Sequence, residues 1–169
     1  MCLSGYTGST RLEIRGAQPE IIGDNFLKLL VILLVPVLLI CAYFFYQGKR
    51  SVQLAGPVIN NGAIPLCGAK SNCVSSLGPA EDSHFIEPLA RNGVTMDTAR
   101  TAIGQLGGEV VIADENQLHA TFKSSVFGFV DDVLILADGD NFQVRSSSRV
   151  GHSDLGANRK RLELLRDML

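Results

Sequence analysis

EVVIADENQLHATFKSSVFGFVDDVLILADGDNFQVR, residues Glu109–Arg145, holds four strand-like runs separated by turn residues. Glu109–Ala113 is β-branched and apolar, and Asp114-Glu115-Asn116 reads as a turn. Leu118, Ala120 and Phe122 alternate with His119, Thr121 and Lys123, the period of a half-buried strand, which puts His119 on its less apolar side. Val133–Leu136 gives a third strand, Asp138-Gly139-Asp140 a hairpin turn, and Phe142–Arg145 a fourth strand. Connections this short demand antiparallel pairing. Upstream, Met96, Ala99, Ile103 and Leu106 recur at helical spacing, with Thr95 to cap the start and Gly107-Gly108 to stop the end. Downstream, Leu155, Leu162, Leu165 and Leu169 mark a second helix, with Asp154 as its N-cap. The expected domain is α+β: a four-stranded antiparallel sheet in the order αββββα, with two helices covering one face.

The whole chain of 169 residues is 46% hydrophobic and 19% charged, with mean hydropathy +0.21. That excludes a disordered, collagenous or coiled-coil protein. A net charge of −2 and a pI near 5.9 have the wrong sign for a nucleic-acid binder. The excess apolar content sits in Leu29–Tyr46, LLVILLVPVLLICAYFFY, extended by Phe26 and Leu27 beyond Lys28. About 20 apolar residues cross a bilayer core of roughly 30 Å. Lys28 can snorkel at one end, Lys49 and Arg50 flank the other, and Tyr43–Tyr46 is an aromatic cluster suited to an interface. A membrane helix tolerates Pro36 better than a soluble one does. A buried core helix fits a domain this small poorly. A cleaved signal peptide would not begin with some 25 mixed polar residues, about what a whole signal peptide spans. A lipoprotein cleavage box would place small residues before the cysteine, where Leu39-Ile40-Cys41 stands. The expected organisation is therefore a tail over 1–25, a transmembrane helix over 26–46, a Gly/Pro/Asn-containing linker over 47–66, and one domain over 67–169. Arg11, Arg15 and Lys28 on one side of the helix against Lys49 and Arg50 on the other hardly set an orientation.

Of the four cysteines, Cys2 lies in the tail and Cys41 in the apolar run. Cys67 and Cys73 enclose Gly-Ala-Lys-Ser-Asn, a sequence able to close a small loop. Two readings stay open: a disulfide, which requires an oxidising compartment, and two free buried thiols. The spacing is wide for a redox pair, and two isolated cysteines are poor evidence for zinc.

The densest polar motif is VRSSSRVGHSDLGANRKR, Val144–Arg161. Residues 51–140 carry four basic and eleven acidic side chains, including Asp131-Asp132, whereas residues 141–169 carry six basic and three acidic. Arginine forks bind carboxylate or phosphate bidentately, and a helix N-terminus favours anions. One reading is an anion pocket with Arg145, Arg149 and Arg159 as donors and Ser146 and Ser148 assisting. The other is an internal network in which Arg145, Arg149, Arg159 and Arg161, with Asn158, meet Asp131, Asp132 and Asp154 and staple the loop to the sheet.

RSSSRVGHSDLGANRKR, together with CVSS at Cys73–Ser76 and FGFVDD at Phe127–Asp132, resembles the DUF1499 family over Cys67 to Leu169. The resemblance implies a domain of unknown function, found in bacterial and photosynthetic lineages, often behind a signal sequence or anchor. It favours a domain on the extracytoplasmic, periplasmic side of a membrane and supplies no reaction.

The preferred reading is a single-pass, membrane-anchored binding or assembly module. The alternative is a hydrolase or metal-dependent enzyme using His152, Asp154 and Asp131. A Ser-His-Asp set is recognised by three-dimensional roles rather than sequence proximity, and no G-x-S-x-G elbow is present. His84, His152, Asp131 and Asp132 lack metal-motif spacing, so no metal and no cofactor are expected. The expected partners are the lipid bilayer through residues 26–46 and a second membrane or envelope protein or an anionic small molecule, with no nucleic acid.

Overall fold

The computed structural model describes residues 20–169, with side chains from residue 25 onward. Most of the expected tail, with Cys2, Arg11 and Arg15, lies outside the described residues. Helix α1 runs Glu20–Gln53 and includes Pro36. Within it Asn25–Gln53 has a mean hydropathy of 2.8 over its most apolar stretch, with no burial there, and is long and apolar enough to cross a membrane. The described residues fall into two compact units, which divide between residues 40 and 41.

In the second unit, β1 (Cys73–Ser75) and β2 (Leu89–Ala90) precede α2 (Met96–Gln105). Then come β3 (Glu109–Ala113), β4 (Gln117–Lys123), β5 (Val130–Asp138), β6 (Asn141–Ser148) and α3 (Ala157–Arg166). The sheet has six strands in the order β1-β6-β5-β4-β3, all antiparallel, with β2 pairing the other end of β6. This corrects the expected four strands and the order αββββα. The additional strands are three and two residues long, and β1 is buried at every position, so neither displays an alternation to read.

The four longer strands follow the hydrophobic pattern. Leu118, Ala120 and Phe122 of β4, Val133 and Ile135 of β5, and Phe142 and Val144 of β6 share one face. Against them pack Met96, Ala99, Ala102 and Ile103 of α2 and Leu162 and Leu165 of α3. Thr95 Oγ1 accepts the Thr98 N–H and caps α2, and Gly107 leaves the helix with φ +85°. The last helix begins later than the leucine spacing suggests: Leu155 precedes it, at φ +55° and 98% exposed.

The opposite face is not open to water. Leu134 and Asp132 point there and are completely buried. The expected linker supplies the cover. Residues up to Gln53 are the end of α1, and residues 54–66 run across the sheet, with Gly56 against Asp132 and Val58 and Ile59 beside His119 and Ile112. A methyl group on Gly56 would overlap the Asp132 carboxylate, so only glycine permits this approach. Burial on both faces explains why β5 reads as a nearly continuous apolar run.

Candidate functional site

β6 ends in Arg145-Ser146-Ser147-Ser148 and continues into Arg149. Because successive side chains of a strand point to opposite faces, the motif is divided between the two sides of the sheet, and so are the adjacent acids Asp131 and Asp132.

Asp132 faces the 54–66 segment. Arg149 donates from Nε to Asp132 Oδ2 at 2.7 Å and from Nη2 to Oδ1 at 2.8 Å, a bidentate fork. Its Nη1 donates to the Leu54 carbonyl at 2.8 Å, fastening the crossing segment to the same pair. His119, diagonal to Asp132 on β4, donates from Nε2 to Oδ1 at 2.8 Å. Burial alone would raise the Asp132 pKa. The hydrogen bonds and charges of Arg149 and His119 outweigh it and hold the carboxyl below its ordinary value. Arg149 is raised in turn, chiefly through its bond to Asp132. His119 is the third member that sequence reading missed; its alternation gave its face but not its partner.

Asp131 faces the helices. Arg161 of α3 donates from Nη2 to Asp131 Oδ2 at 2.8 Å, and its guanidinium lies 4.4 Å from the Phe122 ring centroid. Arg161 Nη1 also donates to Asn158 Oδ1 at 2.7 Å and to Ser146 Oγ at 3.0 Å. Asn158 is fully buried at the hub. Its Oδ1 accepts from Ser146 Oγ at 2.6 Å, and its Nδ2 donates to the Asn72 carbonyl and to Ser148 Oγ, each at 3.1 Å. Asn72 then donates from its own Nδ2 to the Val150 and Gly151 carbonyls at 3.2 and 3.1 Å. Asn72 adjoins Cys73, which is disulfide-bonded to Cys67. The disulfide loop is thus tied to the motif.

The other motif residues have different tasks. Asp154 accepts the Asn158 N–H at 2.7 Å and the Gly156 N–H at 3.2 Å, satisfying donors at the start of α3. Arg159 donates from Nη2 to the Ser83 and Phe85 carbonyls, both at 2.8 Å. Among the described residues Arg145 makes no ion pair: Nη1 donates to Ser147 Oγ at 2.6 Å, and the buried Nε has no hydrogen-bond partner there. Burial pulls its pKa down, against a smaller opposing effect of the Asp132 charge. His152 is exposed, and its carbonyl accepts from Ser71 Oγ. His152, Asp154 and Asp131 do not converge through any hydrogen bond among the described residues. Nor do the described residues hold three His, Cys, Asp or Glu side chains grouped to take a metal ion.

His84 is engaged by an acid and a backbone carbonyl. Its Nδ1 meets Asp82 Oδ1 at 2.7 Å and its Nε2 meets the Lys70 carbonyl at 3.0 Å. Both partners are acceptors, an arrangement that favours the doubly protonated, cationic imidazole. The Asp82 bond and then the Lys70 bond raise its pKa, with Arg159 opposing. A raised pKa contributes stability that is complete below the unfolded value of about 6.5 and is lost as pH rises through the folded value. An NMR titration of the His84 ring in the detergent-solubilised chain should give a midpoint above the ordinary one, and Asp82→Asn should lower it. A midpoint unmoved by Asp82→Asn would contradict the pairing.

One further site escaped sequence reading because it lay in the expected linker. Ser51, completely buried, accepts the Val130 N–H at 2.8 Å through Oγ. One turn earlier, a side chain on Gly48 would overlap the Phe127 carbonyl oxygen. Gly48 and Ser51 therefore seat the end of α1 against the start of β5.

Fold and site define a small α+β domain sewn together by arginine–carboxylate pairs and joined in sequence to a long apolar helix. Residues 63–169, most of the chain, match the family described as Protein of unknown function (DUF1499), and the chain belongs to that family. The match begins four residues before Cys67 and so includes Ile64, which is buried. No curated protein matches the chain.

Proposed function

We propose that this protein is a single-pass, membrane-anchored module on the extracytoplasmic side, non-catalytic, whose Arg/Ser motif staples the fold. The observation that carries this reading is the use of the motif's forks. Arg149 closes on Asp132 and Arg161 on Asp131, one on each face of the sheet. Asp154 is occupied by backbone N–H groups, so an acid–base set built on His152, Asp154 and Asp131 has little support. The apolar helix supports anchoring, and the Cys67–Cys73 disulfide supports an oxidising compartment.

Maleimide labelling of intact cells tests the placement. Cys67 and Cys73 should label only after a reductant that does not cross the inner membrane. Free thiols that label only once that membrane is permeabilised would refute it.

A second reading, an anion held beside Arg145, is favoured by the unpaired Nε. Titration of the full chain with inorganic phosphate would show saturable binding, lost in Arg145→Gln. No saturable binding would leave the staple alone.

A further inference from the structure

The β4–β5 loop, Ser124–Phe129, has no part in the arginine network, yet it carries the sequence Ser-Ser-Val-Phe-Gly-Phe with two aromatic rings. Those rings pack on the aromatic end of α1. Phe127 lies 5.2 Å from Phe44 and 5.3 Å from Phe45, and Phe129 lies 6.2 Å from Phe44, measured between centroids. Gly48 and Ser51 hold the backbones together just beyond. In sequence, Tyr43–Tyr46 closes the apolar run, so Phe127 shares the level of residues 44 and 45 rather than that of a distant loop.

Three observations assign an occupant to the exposed side of this cluster. Val126 is 66% exposed at the loop tip, next in sequence to Phe127, and Tyr46 and Phe45 are exposed as well. Water is a poor solvent for such a patch, whereas a headgroup–acyl boundary favours aromatic and aliphatic groups together. Lys49, Arg50 and Lys123 are exposed near the same junction, where they complement lipid phosphates. The loop backbone is largely closed on itself: the Ser124 N–H donates to the Phe129 carbonyl, the Gly128 N–H to the Ser124 carbonyl, and the Phe129 N–H to Ser124 Oγ. Irregular backbone near hydrocarbon needs such satisfaction.

We propose that the β4–β5 loop is a second membrane contact. Val126 and Phe127 enter the interfacial layer of the bilayer that α1 crosses, and Lys49, Arg50 and Lys123 sit at its phosphates. The proposal rests on the reading of α1 as an anchor. It gives residues 41–169 a membrane contact of their own, besides the one that α1 makes.

The chain contains no tryptophan, so single-tryptophan variants report position without background. The full chain would be reconstituted into phosphatidylcholine–phosphatidylglycerol vesicles with acyl chains brominated near the headgroup. Three exposed sites are compared: Val126→Trp, Tyr46→Trp and Glu115→Trp. Glu115 is on the β3–β4 turn, at the far end of β4 and about 20 Å from the loop by strand rise. Val126→Trp should lose as large a fraction of its emission as Tyr46→Trp, and Glu115→Trp should lose none. If Tyr46→Trp is quenched and Val126→Trp is not, the loop contact is refuted while the anchor stands. If neither is quenched, the anchor reading fails and takes the loop contact with it. If Val126→Trp is shielded from aqueous iodide but insensitive to brominated lipid, a protein covers the loop and the proposal is overturned.

Discussion

Arg149→Gln should destabilise the domain by about 3–5 kcal/mol, the cost of removing one partner from a buried ion pair. Asp132 is completely buried, and among the described residues His119 alone would remain hydrogen-bonded to its carboxylate. The fork to both carboxylate oxygens disappears, as does the bond to Leu54 that pins the covering segment. Denaturant unfolding of the full chain in mild detergent measures the loss as a fall in midpoint. The wild type should also show an acid limb. Because the folded pKa of Asp132 is depressed, its contribution is present above the unfolded value of about 3.9 and is lost as pH falls through the folded value. Arg149→Gln should flatten that limb. An unchanged midpoint would mean that the pair is ornamental to stability.

Asn158→Leu should cost nearly as much, about 3 kcal/mol, for a different reason. Leucine is similar in bulk, so the loss lies in hydrogen bonding rather than in a cavity. The Asn72 carbonyl and the hydroxyls of Ser146 and Ser148 each lose a partner, as does one arm of Arg161. Each buried group left unsatisfied costs about 1–3 kcal/mol, offset in part by the apolar replacement. Since Asn72 also holds Val150 and Gly151, the disulfide loop and the motif should loosen together. Hydrogen exchange at Ser148 and Arg149, whose N–H groups donate to the Asn72 and Val130 carbonyls, would quicken selectively. Unchanged exchange there would show that the hub does not couple the two.

How far the sequence announces this arrangement depends on the kind of signal. The longer strands and α2 are legible because each buries one face, which imposes a period of two or 3.6 that Leu118, Ala120, Phe122 and Met96, Ala99, Ile103 display. That Asp131 and Asp132 part to opposite faces follows from the same strand period. Which arginine meets which acid does not, since it needs the β5–β6 register and the turn into α3. β1 and β2 are too short to carry a period. The covering segment 54–66 is hidden because Gly56 and the Leu54 carbonyl leave no side-chain signal, and its apolar residues Val58, Ile59 and Ile64 follow no regular period. Gly48 and Ser51 act by smallness and by one hydroxyl, and in sequence they look like the start of a linker. Leu155 misleads in the other direction: its helical spacing from Leu162 is accidental, because the chain at Leu155 and Gly156 is left-handed.

The central claim is that the arginine and serine side chains of this motif are spent inside the fold. A double-mutant cycle on Arg149 and Asp132 tests it most directly, using Arg149→Gln, Asp132→Asn and the pair in the full chain. The account predicts that the double variant loses clearly less than the two single losses combined, with a coupling of about 0.5–3 kcal/mol. Losses that simply add, leaving no coupling, would contradict it.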